Sequence, residues 1–124
     1  MAKFVYPSPL PHPFAQAVRG GDFVFVSGQL PFDPDRHIVH GSIEIRTRQV
    51  LENIEAALET TGCALTHVVK NMVRLEDERD FLDFNKVCPE YFSDEPPARA
   101  TVGAKLMLDA KLEIETLAYK PLPN

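Results

Sequence analysis

Two segments near the C-terminus decide the fold: PARATVGA at residues 97–104 and KLEIETLAY at residues 111–119. Both have the composition of β-strands, in which successive side chains point to opposite faces. The second segment alternates apolar residues with Glu113 and Glu115. If the two segments pair as a hairpin around the intervening turn, Arg99 and Glu113 lie near each other on one face of the sheet.

An arginine and a glutamate in a mostly apolar strand pair allow two interpretations. The plain one is a structural ion pair of Arg99 with Glu113 or Glu115, which contributes little when it is exposed. The other is a site in which Arg99 binds a substrate carboxylate through two parallel hydrogen bonds, while Glu113 transfers a proton. These two segments alone leave both interpretations open.

Length and composition indicate one domain that spans residues 1–124. Hydrophobic residues make up 44% of the chain and charged residues 25%, which is ordinary for a globular protein with a single core. The net charge of −5, with Lys and Arg scattered, argues against a nucleic-acid partner. No apolar run is long enough for a transmembrane helix, and the first residues lack the pattern of a secretory signal. We therefore expect a cytoplasmic protein with no membrane partner.

Cysteines and histidines give no sign of a metal site. Cys63 and Cys88 lie far apart and without a CxxC pattern, so we interpret both as reduced thiols. His37 and His40 stand three apart in a polar loop, a spacing too weak to indicate ligands, and are interpreted as surface residues.

Hydrophobic periodicity predicts six strands and two helices. In addition to the two C-terminal segments, strands are predicted at residues 3–6, 14–18, 22–27 and 68–75. The order β-β-β-α-β-α-β-β indicates an α+β fold, with one mixed, mostly antiparallel sheet and both helices packed on one face.

The two predicted helices have recognisable ends. The first spans about 43–61 and stops at Gly62, a residue type common just after a helix. The second spans about 78–92, with Asp77 as its N-cap. Pro89 lies inside it and is expected to kink or shorten it.

The second face of such a sheet has no helix to cover it. We expect that face to carry Arg99, Thr101, Glu113, Glu115, Leu117 and Tyr119. A sheet face that includes apolar residues and lacks a cover is a candidate oligomer surface. We therefore expect a closed homo-oligomer with clefts where subunits meet.

Four separated pieces of the chain occur in an order that resembles one known family. They are SGQ at residues 27–29, Asn85 within FNKV, PAR at residues 97–99, and KLEIE at residues 111–115. Together they resemble the Rid (YjgF-type) family of reactive-intermediate deaminases, over almost the whole chain. The resemblance implies a chorismate-mutase-like subunit that assembles as a homotrimer, with three sites in the clefts between neighbours.

The resemblance also implies an activity that needs no metal or organic cofactor. Family members that carry the arginine hydrolyse small enamines or imines, such as 2-aminoacrylate and 2-iminopropionate, to a 2-keto acid and ammonia, as metabolite damage control. By motif position, Arg99 would bind the substrate carboxylate. Glu113, chosen over Glu115 by that position alone, would activate the attacking water. Ser27 and Asn85 would line the site.

Two positions depart from the family pattern. Phe14 stands where the deaminase branch often has a tyrosine, so it offers a pocket wall or core contact without a hydroxyl. Thr101 stands where many members have a reactive cysteine, and it keeps an oxygen but no thiol. Both changes bear on substrate preference more than on the reaction, because Arg99 and Glu113 are intact.

Other interpretations stay open. Ser27 could simply end its strand and bond the backbone, and Asn85 could be a surface or capping residue. A non-catalytic trimer that senses a small keto or amino acid would need Arg99 equally, whereas Glu113 favours an enzyme. RNA binding or cleavage is disfavoured by the acidic balance, and a mutase reaction rests on fold analogy alone.

Overall fold

The computed structural model describes residues 3–123. Its elements, in chain order, are β1 (Phe4–Tyr6), β2 (Ala17–Gly20), β3 (Phe23–Gln29), α1 (Ile43–Thr60), β4 (Val68–Leu75), α2 (Phe81–Val87), β5 (Ala98–Gly103) and β6 (Leu112–Tyr119). The predicted order of elements and the α+β fold class are both confirmed. None of the helices in the described part combines the length and hydropathy needed to cross a membrane.

The six strands form one mixed sheet in the order β1-β2-β3-β6-β4-β5. Every pair of neighbours is antiparallel except β4 and β5, which run parallel. The last strand of the chain, β6, therefore lies inside the sheet between β3 and β4. Strand β5 lies at an edge, next to β4 only.

The predicted hairpin of the two C-terminal segments is wrong. Strand β5 pairs with β4, where Arg99 lies opposite Asn71, and β4 separates β5 from β6. The physical reason is that β4, α2 and β5 form a strand–helix–strand unit, the connection that parallel pairing requires. Between β5 and β6 the backbone turns through positive φ angles at Leu108, Asp109 and Lys111, in place of a tight hairpin turn.

Both helices cover one face of the sheet, as predicted. The apolar stripe of α1 and the inner face of α2 pack on the sheet in a single core. Apolar residues spaced three or four apart lie on the same side of a helix, and that side is the one that each helix buries. The largest fully buried apolar side chains of this core are Val50, Leu51, Ile54 and Leu58 of α1, Phe84 and Val87 of α2, and Val24, Val73, Leu75, Leu112 and Ile114 of the strands.

The second helix is shorter than the predicted span of 78–92. A 3₁₀ turn at Glu78–Asp80 precedes α2, and another at Cys88–Glu90 follows it. Pro89 has no N–H to continue an α-helix, which accounts for the change of geometry at Val87. Asp77 begins the segment as predicted, since its Oδ1 accepts a hydrogen bond from the backbone N–H of Arg79 at 2.9 Å.

The opposite face of the sheet, called the outer face here, carries no helix within residues 3–123. It exposes large apolar side chains, among them Phe23, Phe25 and Tyr119. The rings of Phe23 and Tyr119 make an edge-to-face contact, with 5.1 Å between their centroids. Exposed aromatic surface of this kind is a candidate contact surface, and the expected oligomer stays a prediction.

The predicted contents of the outer face are correct in part. Glu113 and Glu115 lie on it, because they alternate with the buried residues of β6. Arg99 and Thr101 were predicted there as well, and this is wrong. Arg99 is the register partner of Asn71, which is buried on the helix-covered face, so the side chains of Arg99 and Thr101 belong to that face.

Candidate functional site

Arg99 stands on the edge strand β5 and reaches over the first turns of α2. Its Cζ lies 5.7 Å from the ring centroid of Phe81 and 5.3 Å from that of Phe84. Its Nη1 donates a hydrogen bond to the sulfur of Cys88 at 3.9 Å. Guanidinium groups stack favourably on aromatic faces, so this environment orients Arg99 without neutralising its charge.

Arg99 lines the mouth of a cavity between α2 and the sheet. The cavity has a volume of about 280 Å³. Buried Val73 and Ile114 form its floor, and Phe92 and Pro97 contribute to its walls. A small, mostly apolar cavity with one cation at its edge has the character of a ligand site.

Cys88 contributes a thiol to the same cavity. Its Sγ donates a weak hydrogen bond to the carbonyl of Phe84 at 3.5 Å, in addition to accepting the one from Arg99. Burial raises the pKa of the Cys88 thiol above its ordinary value, and the positive charge of Arg99 opposes this shift only in part. At neutral pH the thiol is therefore protonated and acts as a wall of the cavity.

Within residues 3–123, no donor reaches the buried side-chain oxygens of Asn85 and Thr101. Asn85 lines the cavity beside Arg99, and its Oδ1 has no hydrogen-bond partner. Thr101 Oγ1 is also without a partner, but Thr101 lies in a separate depression lined by Leu75 and Phe81. Buried polar atoms are nearly always paired, so we expect a water molecule or a ligand to donate to each of these two oxygens.

Glu113 lies on the outer face of β6, where its side chain packs directly over Gly28. A Cβ atom at position 28 would come within 2.7 Å of Glu113 Oε2 and 2.8 Å of its Cδ. Glycine at this position therefore makes room for the carboxylate. Gly28 is part of the SGQ motif, and its contact with the Glu113 side chain gives it a physical role.

Arg74 is a residue of this region that the sequence analysis missed. It lies opposite Glu113 in the β4–β6 pair, and its Nη1 donates to Glu113 Oε1 at 3.3 Å. Its Nη2 donates to Glu115 Oε1 at 2.9 Å. The ion pair that the plain interpretation assigned to Arg99 is thus made by Arg74. The position of Arg74 on the outer face follows from strand alternation, but its partners depend on the register of β6.

Ser27 lies in β3, and Phe14 lies in the segment between β1 and β2. Ser27 precedes Gly28, and its Oγ donates to the carbonyl of Ala15 at 2.6 Å. Phe14 precedes Ala15, is exposed, and stacks on His12 with 4.7 Å between ring centroids. The hydroxyl of Ser27 thus donates to the backbone, which is one of the two roles considered for this residue. Its oxygen can still accept a hydrogen bond.

The residues around Arg99 and those around Glu113 therefore form two groups on opposite faces of one sheet. Of the predicted site residues, Arg99 and Asn85 belong to the first group and Glu113 and Ser27 to the second, whereas Phe14 and Thr101 belong to neither. The Arg99 group consists of Arg99, Asn85 and Cys88 on the helix-covered face. The Glu113 group consists of Glu113, Arg74, Gly28 and Ser27 on the outer face. The prediction that Arg99 and Glu113 share a face is wrong. Strand β4 lies between their strands, with Asn71 opposite Arg99 and Arg74 opposite Glu113, and the side chains of Asn71 and Arg74 point to opposite faces of the sheet.

Neither group contains a metal-binding cluster. Within residues 3–123, no group of three or more His, Cys, Asp or Glu side chains is arranged to hold a metal ion. Cys63 and Cys88 are both free thiols, and Cys63 is buried in the core.

Comparison with known proteins places this geometry in a family. The family profile described as Endoribonuclease L-PSP matches residues 7–120 of the chain. The chain belongs to this family, which is the YjgF or Rid family. The family resemblance inferred from the four sequence pieces is thus confirmed.

Individual members of the Rid family are similar along most of the chain. A RutC family protein of Pyrococcus horikoshii is 47% identical over 110 residues, which cover 87% of each protein. The crystal structure of yeast Mmf1 superposes with a TM-score of 0.87 at 37% identity, covering 94% of this chain and 93% of that one. RidA from an Antarctic Psychrobacter species superposes with a TM-score of 0.84 at 37% identity, covering 92% and 93%. The Rid-type α+β subunit therefore accounts for the fold described above.

Proposed function

We propose that this Rid family protein hydrolyses imines and enamines of 2-amino acids to a 2-keto acid and ammonia, without a cofactor. The observation that carries the proposal is the position of Arg99 and its lack of an ion-pair partner. Its guanidinium lies at the mouth of an apolar cavity, and among residues 3–123 no carboxylate forms an ion pair with it. A planar cation with unused donors suits the carboxylate of a small substrate.

The reaction itself needs only orientation and proton transfer. Water attacks the carbon of the C=N bond while Glu113 accepts a proton from the water. Glu113 passes that proton to the substrate nitrogen, which gives a tetrahedral carbinolamine. Glu113 then takes the proton of the carbinolamine hydroxyl and gives it to the nitrogen, so that the C–N bond breaks, the carbonyl of the 2-keto acid forms and ammonia leaves. An imine carbon is already electrophilic, so a positioned water and one general acid–base group supply what the reaction requires.

Asn85 supports this assignment through its unpaired oxygen. With the substrate carboxylate on Arg99, Asn85 Oδ1 would accept the N–H of the imine nitrogen and fix the direction of the C=N bond. The same contact satisfies an acceptor that has no partner within the protein. Arg99 and Asn85 together would therefore hold two functional groups of one amino-acid-derived substrate.

We further propose that each active site forms between two copies of the chain in a homotrimer. Arg99 and Glu113 point to opposite sides of the sheet, so one copy alone cannot present both to a small molecule. A neighbouring copy that supplies its Glu113 to the Arg99 cavity would complete the site. The exposed aromatic residues of the outer face would then be buried in the contact between subunits.

A coupled assay tests the activity directly. An amino-acid oxidase generates the imine in the cuvette, and semicarbazide traps what the protein has not hydrolysed. We expect the wild-type protein to suppress semicarbazone formation, and we expect Arg99→Ala to fail to do so while it stays folded. Glu113→Gln should lower the rate with a smaller loss of binding. Wild-type-like suppression by Arg99→Ala would contradict the role of Arg99 as the carboxylate anchor.

Mixing two impaired variants tests the shared site. Arg99→Ala and Glu113→Gln subunits, unfolded together in equal amounts and refolded, form some contacts in which both residues are intact. Random association pairs an intact Arg99 with an intact Glu113 in roughly a quarter of sites, so about that share of wild-type activity should return. A site confined to one subunit predicts no recovery, and each variant refolded alone is the control.

Two other functions compete with this proposal. A non-catalytic trimer that senses a small keto acid would use the same arginine, and it predicts keto-acid binding without imine turnover. The description of the family names an endoribonuclease, but a net charge of −5 opposes binding to a phosphate backbone. We propose a cytoplasmic location, since free thiols at Cys63 and Cys88 suit a reducing compartment.

A further inference from the structure

We infer that the cavity beside Arg99 receives the substrate side chain, and that it selects imines of amino acids with branched or longer aliphatic side chains over the imine of alanine. This inference rests on the proposed function and deepens it by naming the substrate class. It follows from the size of the cavity, the chemistry of its walls and the position of Arg99 and Asn85 at its edge.

The cavity is far larger than the smallest substrate needs. Its volume is about 280 Å³, whereas one water molecule occupies about 30 Å³ in the liquid. The side chain of an alanine-derived imine is a single methyl group, which would leave most of this space to water against an apolar surface. A branched or longer aliphatic chain fills the space and removes more apolar area from water.

The lining of the cavity favours hydrocarbon over polar substituents. Val73 and Ile114 are almost completely buried at its floor, and Leu51 and Phe84 are fully buried beside them. Among residues 3–123, Arg99 at the edge is the one charged residue that lines the cavity. A substrate side chain with a carboxylate or an ammonium group would lose its hydration there without a partner, which is costly.

The polar groups at the edge fix which end of the substrate enters. Arg99 takes the carboxylate at the mouth, and Asn85 Oδ1 offers an acceptor for the imine N–H on the same cavity lining. With both groups held at the edge, the third substituent of the imine carbon is the one directed toward the floor.

Two substitutions that make the cavity smaller test this inference from different sides, and they are called the filling variants here. Val73→Ile adds a methyl group at the floor, and Cys88→Leu adds bulk at the wall near Arg99. The measured quantity is the ratio of kcat/KM for the leucine-derived imine to kcat/KM for the alanine-derived imine. Because one methylene in an apolar pocket changes kcat/KM by about tenfold or more, we expect a wild-type ratio of at least about ten and a drop of about tenfold in each variant.

The matched control is Leu82→Phe. Leu82 is exposed on α2 and does not line the cavity, so the ratio should keep its wild-type value. A wild-type ratio near one, or a ratio that neither filling variant changes, would overturn the inference. Thermal unfolding of each variant separates a filled cavity from a protein that has lost its fold.

Binding of the product class distinguishes failure of this inference from failure of the proposed function. Calorimetry with 4-methyl-2-oxopentanoate and with pyruvate measures the same selectivity without any turnover. Tighter binding of the branched keto acid, lost in Val73→Ile, supports the cavity assignment even if no imine is hydrolysed. Imine hydrolysis together with equal binding of the two keto acids would leave the proposed function intact and overturn the side-chain assignment.

Discussion

Arg74 lies directly opposite Glu113 on the neighbouring strand and donates a hydrogen bond to its carboxylate, with 3.3 Å between Nη1 and Oε1. The same guanidinium donates to Glu115 at 2.9 Å between Nη2 and Oε1. Two carboxylates on the same face of one strand repel each other, and a cation between them offsets that repulsion. Arg74 therefore restrains the orientation of Glu113 from one side, while Gly28 leaves room for it on the other.

Arg74→Met should impair catalysis without unfolding the protein. If the proposed general base Glu113 is out of position, it accelerates the reaction less. We therefore expect kcat for imine hydrolysis to fall by about tenfold with little change in KM. The ion pair is partly exposed, so the free energy of unfolding should change by less than about 1 kcal/mol. Steady-state kinetics and urea unfolding of the same preparation provide both values.

Two further variants make the Arg74 result specific. Arg74→Lys keeps the charge but loses the planar pair of donors, so it should recover part of the lost kcat. Arg48→Met breaks a comparably exposed ion pair with Glu90, at 2.8 Å, outside both site groups, and should leave kcat unchanged. Full activity in Arg74→Met would show that Glu113 needs no support from this arginine.

Gly28→Ala should displace the Glu113 carboxylate. The new Cβ would meet Glu113 Oε2 at 2.7 Å, and the side chain of Glu113 must rotate away. We expect kcat to drop by about tenfold or more, because small displacements of a catalytic group are costly. Gly20→Ala is the matched control, since its Cβ would meet only Phe25 at an ordinary 3.8 Å.

The stability of the Gly28 variant carries separate information. A clash with Glu113 disappears when that side chain is removed, so Gly28→Ala should cost less stability in a Glu113→Ala background than in the wild-type protein. Equal costs in the two backgrounds, measured by urea unfolding, would mean that the strain comes from another contact.

Thr116→Val should destabilise the core next to the cavity. Thr116 Oγ1 donates to Asn71 Oδ1 at 2.7 Å, and both residues are buried. Valine keeps the shape but leaves the Asn71 oxygen without a donor, which costs about 1–3 kcal/mol of unfolding free energy. Denaturant unfolding measures this change directly.

Thr47→Val is the matched control for that prediction. Thr47 is also fully buried, and its hydroxyl donates to the carbonyl of Ile43 at 2.7 Å. That carbonyl also accepts the ordinary helical hydrogen bond, so it stays paired after the substitution. We expect a cost below about 1 kcal/mol. If the two variants lose the same stability, the Asn71 hydrogen bond is not the cause.

The carboxyl of Asp77 should titrate at unusually low pH. The side chain of Arg79 and, second, its backbone N–H donate to this carboxylate and lower its pKa from 3.8 to about 2. Because the folded-state pKa lies below the ordinary one, the resulting stabilisation is present above about pH 4 and is lost as the pH falls through about 2. An NMR titration of Asp77 in the wild-type protein measures the shift.

Arg79→Ala isolates the cause of that shift. It removes the side-chain hydrogen bond and keeps the backbone one, so the pKa of Asp77 should move back toward 3.8 without fully reaching it. An unchanged Asp77 titration in Arg79→Ala would assign the shift to the backbone alone.

The elements that local periodicity controls could be predicted from the sequence. Strand β4 has the predicted bounds, and α1 ends one residue earlier than predicted. Apolar stripes and alternation depend on neighbouring residues, so each segment carries its own evidence. The position of both helices on one face follows from the same patterns.

Strand partners could not be assigned from those patterns, because pairing joins segments that are distant in sequence. The two C-terminal segments have equally good hairpin periodicity, and nothing within them indicates that β4 separates them. A usable signal lay in the order strand, helix, strand over β4, α2 and β5, which is typical of parallel pairing. Without it, Arg99 was assigned to the wrong face, and Arg74 was not considered as the partner of Glu113.

The separation of the two site groups along the chain has a consequence for the order of folding. The Arg99 group lies within the continuous segment Val68–Gly103, whereas the Glu113 group joins residues near position 28 to β6. Closing the longer loop costs more chain entropy, so contacts within the continuous segment form at lower cost. We therefore expect the arginine side of the site to become ordered first during refolding. A chain interrupted at that stage would carry the proposed carboxylate anchor without the proposed general base.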